Sequence, residues 1–256
     1  MAFKSSVISG QFNRPTEGRR GKLTETTSPH PRRRLYGRRR GRPLRAGRKL
    51  LTETQLPQLT FALPEDGQLD PATLFPSRPA AVWLEIGFGG GEHLAEQAER
   101  HPEIGFIGVE VFENGIARLL AEIAWRDLDN IRILADDARL LLDVLAPASI
   151  GRVFILFPDP WPKRRHHKRR LVAPATLDRL AIVMQPGAEL RLATDDRDYL
   201  AWMLEHVTAH LEFVWLARSP ADWRDRPPDW PATRYEVKAR AAGRAPAFLR
   251  FVRRRT

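Results

Sequence analysis

The chain has no cysteine, which excludes a disulfide framework, a thiolate nucleophile and every cysteine-based zinc site. Its seven histidines never fall at a metal-ligand spacing such as H-E-x-x-H, so no metal is expected. No apolar run approaches the roughly 18 residues of a membrane span, and the opening MAFKSSVISGQFNRPTEGRR lacks the continuous apolar stretch of a secretory signal. A soluble, cytoplasmic protein with no membrane partner is expected. Acidic residues are almost missing from the first fifth of the chain. Residues 1–50 hold 15 Lys and Arg against Glu17 and Glu25, a net +13, while the remainder sets 27 basic against 29 acidic residues, a net −2. The formal charge of +11 therefore belongs to the N-terminal arm.

Residues 1–48 mix Ser, Pro, Gly and Arg without apolar periodicity. Such a segment cannot bury enough apolar surface to offset its ordering entropy, so it should be largely disordered alone. An Arg-rich arm with an interleaved aromatic, here Tyr36, reads as a phosphate-binding arm; a solubility tail or targeting arm is the plainer reading. Residues 49–80, with five prolines, read as a connector. From Ala81 the pattern alternates strand and helix: AVWLEI, a glycine loop, EHLAEQAERH, IGFIGVEV, a helix over 114–126, IRILA, DARLLLDVL, VFILF, PATLDRLAIVM, AELRLAT, DYLAWMLEHVTAH, LEFVWLA and AFLRFVRR. This alternation predicts an α/β, Rossmann-like, mostly parallel seven-stranded sheet closed by an antiparallel C-terminal pair, with helices on both faces, in one domain over 81–256.

The most informative stretch is VFILFPDPWPKRRHHKRR, Val153 to Arg170. The apolar run reads as a strand buried on both faces, whose C-terminal end is where a ligand binds in such sheets. Pro158, Pro160 and Pro162 fix their own φ near −65° and exclude the helical region for the residues before them. Phe157, Asp159 and Trp161 are therefore expected extended, in a stiff loop that pre-positions Asp159. Six Lys and Arg follow in the eight residues from Lys163 to Arg170.

The glycine loop runs Leu84-Glu85-Ile86-Gly87-Phe88-Gly89-Gly90-Gly91-Glu92. Such a loop after a first strand lets the backbone approach a ligand, as both dinucleotide and S-adenosylmethionine sites require. If Gly87 and Gly89 opened a G-x-G-x-x-G, the third glycine would fall on Glu92, and a carboxylate in that helical turn opposes a docked pyrophosphate. S-adenosylmethionine has no phosphate and is cationic. Glu85 suits such a ligand, Glu110 ends the second strand where an acid accepts ribose hydroxyls, and Asp137 follows the third, where it can accept from the adenine amino group. With Asp159, four carboxylates stand at four successive strand ends. One alone would be an ordinary helix cap.

LEIGFGGG, the VEV around Glu110, DDA at 136–138, FPDPWPKRRHHKRR, ATD at 193–195 and TRYE at 233–236 together resemble the bacterial tRNA (guanine-N7-)-methyltransferase family. The resemblance covers roughly 81–253. It implies a methyl group taken from S-adenosylmethionine and placed on N7 of a guanosine in the tRNA variable loop. It also implies that Glu85, Gly87, Gly89, Glu110, Asp137 and Asp159 bind the cofactor and that Asp159 is catalytic. Lys163, Asp195 and the segment Thr233, Arg234, Tyr235 and Glu236 match substrate positions, and Arg165, His166, His167, Lys168, Arg169 and Arg170 match the tRNA-contacting stretch. Trp161 is read as a packing anchor, with stacking on the base as the alternative, and Glu236 as a bidentate reader of the guanine edge. Three other readings stay open: a methyltransferase acting on another RNA position or a protein, a nicotinamide-dependent oxidoreductase, and a non-catalytic RNA-binding protein. Nothing in the sequence demands a homodimer over a monomer.

Overall fold

A computed structural model describes residues 36–255. Most of the expected arm, residues 1–35, lies outside that range. In chain order the elements are α1 (Ala46–Thr54), α2 (Leu56–Leu59), β1 (Ala81–Ile86), α3 (Glu92–Arg100), β2 (Ile104–Val109), α4 (Glu113–Arg126), β3 (Ile131–Leu134), α5 (Ala138–Val144) and β4 (Ile150–Leu156). They continue with α6 (Pro174–Val183), β5 (Met184–Thr194), α7 (Arg197–Ala209), β6 (Phe213–Trp215), α8 (Ala221–Arg224), α9 (Arg234–Ala241) and β7 (Ala247–Arg253).

The seven strands lie in the order β3-β2-β1-β4-β5-β7-β6. β1 to β5 pair in parallel, and β7 runs antiparallel to both β5 and β6. The order reverses between β1 and β4, the place where open α/β sheets leave a crevice beyond their strand ends. Continuous apolar runs such as IGFIGV in β2 are buried along their whole length because helices cover both sheet faces. Alternate residues of β1 enter opposite cores. Leu84 joins Leu141, Leu177 and Met203, while Trp83 joins Leu94, Leu119 and Phe154. Among the described residues no helix is long and apolar enough to cross a membrane.

The connector is more structured than its prolines suggest. α1 packs along α4, Thr60 bridges to Ile133 at the β3 edge, and Arg132 Nε donates to the Leu74 carbonyl at 2.8 Å. These contacts cover an edge strand that would otherwise offer unpaired backbone groups. The local backbone adds one confirmation of capping chemistry and one difference. Thr233–Glu236 opens a helix, since Thr233 Oγ1 accepts the Glu236 N–H at 3.2 Å and caps α9. Phe157 and Trp161 avoid the helical region as their prolines require, but they take the left-handed region, φ +51° and +47°, and not the expected extended one.

Phe154, at the centre of β4, packs edge-on to His93 at 4.7 Å and lies 6.0 Å from Trp83. Phe154→Ala should lower unfolding free energy by about 3–5 kcal/mol, read as a fall in the denaturant midpoint. Ile182→Ser, on an exposed position, should change stability by no more than about 0.5 kcal/mol.

Candidate active site

The ends of β1, β2, β3 and β4 open into a cavity of about 700 Å³, within the range that encloses a nucleoside-sized ligand. Gly87, Gly89, Glu110, Asp136, Asp137, Phe157, Asp159, Trp161 and Tyr235 contribute to its wall. Glu110 ties its floor together. Its Oε2 accepts the Gly89 N–H at 2.8 Å, and its Oε1 accepts the N–H groups of Val111 and Phe112 at 2.8 and 3.0 Å. Burial pushes the Glu110 carboxyl above its ordinary range, against these hydrogen bonds, and the negative charge of Asp159 adds to the rise.

Gly89 has a positive φ of 59°, and a Cβ there would meet the Tyr235 ring at 2.8 Å. Opposite it, a Cβ on Gly115 of α4 would lie 2.1 Å from the Gly89 carbonyl oxygen. Helix, glycine loop and tyrosine therefore close on one another only because these two positions lack side chains. The sequence signal for Gly115 is an isolated glycine inside a helical pattern.

The four expected acids divide. Glu85 is 3% exposed and turns into the core, where its Oε2 meets His93 Nδ1 at 2.6 Å; it lies outside the cavity wall. Asp137 caps α5 through the Arg139 N–H at 3.0 Å, and the Arg139 guanidinium engages both its oxygens, with Nη2 to Oδ2 at 2.6 Å. Asp136 accepts the Asp137 N–H at 2.8 Å and also lines the cavity. Asp159 stands at the mouth, open to solvent on one side. The cleft encloses its carboxyl enough to push its pKa up by desolvation.

The cation cluster also divides. Residues Arg164–Arg169 form a short 3₁₀ helix beginning after Lys163. Lys163, just before it, and Arg165, on it, are exposed, and Lys168 and Arg169 reach the cavity rim. Arg170 is 3% exposed: it donates through Nε to the Pro160 carbonyl at 2.8 Å and pairs with Asp198 of α7. This cation locks the Pro-Asp-Pro loop to the domain. His167 faces Asp198 at 3.6 Å and Trp202 edge-on at 5.5 Å. Partial desolvation, and then the neighbouring Arg169, Arg165, Lys163 and Lys168, hold His166 below its ordinary range, so it adds no charge near neutrality.

Of the C-terminal positions, only Tyr235 enters the cavity wall. Its ring stacks on Phe157 at 6.4 Å with 19° between planes, and its hydroxyl accepts from Arg234 Nη2 at 3.0 Å. Glu236 is 5% exposed and paired on both oxygens, with Arg240 at 2.9 Å and Arg226 at 3.2 Å. It holds α9 in place and is not free for a guanine edge. Asp195 pairs with Arg244 at 2.6 Å, and the helix cap that would be its plainer role falls to Asp196. The approach to α9 is anchored from below, where buried Arg191 meets Asp229 at 2.7 Å and Gln97 Nε2 donates to the Asp229 carbonyl at 2.7 Å.

The lining suits a cationic nucleoside. Four carboxylates, Glu110, Asp136, Asp137 and Asp159, stand in its wall at the strand ends, while its cations come from the arm, α5, α6 and the segment after β4; the glycine loop carries no basic residue, and Glu92 occupies the helical turn where a phosphate would dock. Among the described residues, no cluster of His, Asp and Glu could hold a metal ion.

Residues 79–249 match a protein-family profile described as "Putative methyltransferase". A protein from Rhodospirillum rubrum is 54% identical over 86% of this chain and 88% of its own length. Others from Paramagnetospirillum magneticum and Mesorhizobium japonicum are 53% and 48% identical, each over 86% of this chain and over 93% and 94% of their own lengths. All three carry the name tRNA (guanine-N(7)-)-methyltransferase. With its sheet order, its acid-lined crevice at the β1/β4 reversal and a sequence about half identical to these proteins along most of its length, the chain belongs to the tRNA (guanine-N(7)-)-methyltransferase family.

Proposed function

We infer that the protein transfers the methyl group of S-adenosylmethionine to N7 of a guanosine in the tRNA variable loop. The observation that carries this reading is one juxtaposition in a chain of this family: Asp159 stands between an acid-lined nucleoside cavity and an exposed cationic helix. Bound S-adenosylmethionine supplies an electrophilic methyl group on a sulfonium.

Glu110 and Asp136 accept from the donor's ribose and adenine, and Gly87 and Gly89 let it approach the backbone. Asp137 supports that wall by fixing Arg139, and Glu85 supports the glycine loop from behind through His93. Guanine N7 has a lone pair at neutral pH, so no proton need be removed and Asp159 is no general base. It accepts hydrogen bonds from the guanine edge or the donor amino group and favours the positive ring that forms. Because methyl transfer conserves total charge, positioning supplies more of the rate than charge stabilisation. Phe157 and Tyr235 offer an aromatic pair beside the cavity for holding the base in line. Trp161, edge-on to Tyr36 and His166 and beneath the Arg169 guanidinium, serves as the loop's anchor. Lys163, Arg165, Lys168 and Arg169 follow the RNA backbone, each engaged phosphate steepening the salt dependence by roughly 0.7–0.9 in log K against log salt.

Labelled methyl transfer to bulk tRNA, with borohydride–aniline cleavage to locate the product, tests the reaction. Cleavage should map to a variable-loop guanosine, and Asp159→Ala should lower the rate by about 10²–10³ while tRNA binding persists. Label at another base would overturn the substrate assignment, and an Asp159→Ala rate equal to wild type would remove that residue from the mechanism.

The raised pKa values of Glu110 and Asp159 give binding a signed pH dependence. Both carboxyls take up protons at a higher pH than an ordinary carboxyl near about 4, and each uptake removes negative charge facing a cationic ligand. Affinity for S-adenosylmethionine should be constant above these raised values and fall as pH drops through them. S-adenosylhomocysteine, which lacks the sulfonium charge, should lose less. Calorimetric titration of both ligands between pH 8 and pH 5 checks this, and Glu110→Gln should flatten the acid limb.

A further inference from the structure

We propose that the segment Tyr36–Arg42 is a wall of the methyl-donor pocket, with Tyr36 and Gly37 as donor-binding residues; this rests on reading the cavity as the S-adenosylmethionine site. Tyr36, Gly37 and Arg38 line the cavity together with the glycine loop and the strand-end acids. A Cβ built on Gly37 would lie only 3.8 Å from Asp159 Oδ2, so the segment's backbone passes directly beside that carboxylate.

Both ends of the segment are fixed to elements that carry site residues. At one end it caps α4, which has no side-chain cap of its own. The Glu113 N–H donates to the Arg39 carbonyl at 2.9 Å, Arg40 Nε pairs with the Glu113 carboxylate at 2.7 Å, the Gly41 N–H donates to Asn114 Oδ1 at 2.7 Å, and Asn114 Nδ2 donates to the Arg42 carbonyl at 2.7 Å. These contacts satisfy an orphan donor at a helix start, and that start lies three residues after Glu110. At the other end the Tyr36 ring sits edge-on to Trp161 at 6.2 Å, and the Arg169 guanidinium lies over both rings, 4.6 Å from Tyr36 and 4.9 Å from Trp161. The segment thus bridges the cavity from the end of β2 to the loop after β4. A charged arm that only tracked RNA would gain nothing from an aromatic held over the donor site. Here that aromatic joins Ile86, Val109, Phe112 and Phe157 in the apolar part of the cavity wall.

The test is calorimetric binding of S-adenosylhomocysteine to the full-length protein and to Tyr36→Ala, Tyr36→Phe and Asn114→Ala, with melting curves as a folding control. Tyr36→Ala should weaken binding about 3- to 10-fold through the lost ring contact, and Tyr36→Phe should restore it. Asn114→Ala, which removes two ties without touching the cavity, should weaken binding in the same direction. In the wild type, saturating ligand should slow tryptic cleavage after Arg38, Arg39 and Arg40. Wild-type binding matched within twofold by both alanine variants overturns the donor-binding role and leaves the site reading standing. Absence of any wild-type binding overturns both.

Discussion

The Glu110 carboxylate is the joint on which the site depends. A single side chain at the end of β2 accepts hydrogen bonds from the glycine loop after β1 and from the backbone that leads into α4. Three backbone donors on one buried carboxylate fix the relative position of two βα connections, and the glycines do the rest. Gly115 lets α4 press against the Gly89 carbonyl, and Gly89 lets Tyr235 close from the far side. The burial that makes this joint rigid also raises the pKa of its carboxyl, so the group that organises the pocket is held less firmly ionised than an exposed acid. A cationic ligand offsets that cost, which links occupancy of the pocket to its electrostatics.

Most of the fold was legible because its strands are buried on both faces. A run such as IGFIGV or VFIL has one reading in an alternating α/β chain, and β1 begins and ends where the apolar run does. The strand-end acids were legible as positions but not as roles. Glu85 and Asp137 carry the same chemistry as Glu110 and Asp159, and only the placement of His93 and Arg139 decides that the first pair is engaged by other side chains. Such pairings join residues whose geometry the strand–helix pattern does not encode. The connector was obscured for another reason: two of its five prolines sit at helix starts, Pro57 in α2 and Pro71 at the first position of a short 3₁₀ turn, where proline is compatible with helix. The last residues of the arm hid behind their charge, since Tyr36 is a single aromatic in an arginine run and its partner, Trp161, lies far along the chain.

The cation run shows how composition can overstate a binding surface. Read as a string, Lys163 to Arg170 is one basic patch. In the fold, Arg170 is an internal brace, His167 leans on Trp202 and Asp198, and desolvation together with the cations around it holds the His166 pKa below its ordinary range. The brace carries more than its burial suggests. Arg170 holds the Pro160 carbonyl in a loop whose Phe157 and Trp161 both occupy the left-handed region, a conformation costing a non-glycine residue roughly 1–2 kcal/mol. That backbone persists because a buried guanidinium, three prolines and the Phe157–Tyr235 stack determine it together.

This distribution of effort fits the proposed chemistry. A reaction that removes no proton and creates no net charge gives a general base little to do. It rewards a nucleophile, a methyl group and a leaving sulfur held in one line. In and behind the cavity wall, accordingly, several charged side chains are committed to other side chains: Arg139 to Asp137, Arg170 to Asp198, Arg244 to Asp195, and Arg226 and Arg240 to Glu236. Each pair fixes a loop or helix start that frames the crevice. Asp159 stands apart from this bracing, at the mouth, with a carboxyl pushed up by partial enclosure. Its place on a backbone held from both sides is what a positioning role requires, because a group that aligns a base by hydrogen bonding contributes only as far as its own support is stiff.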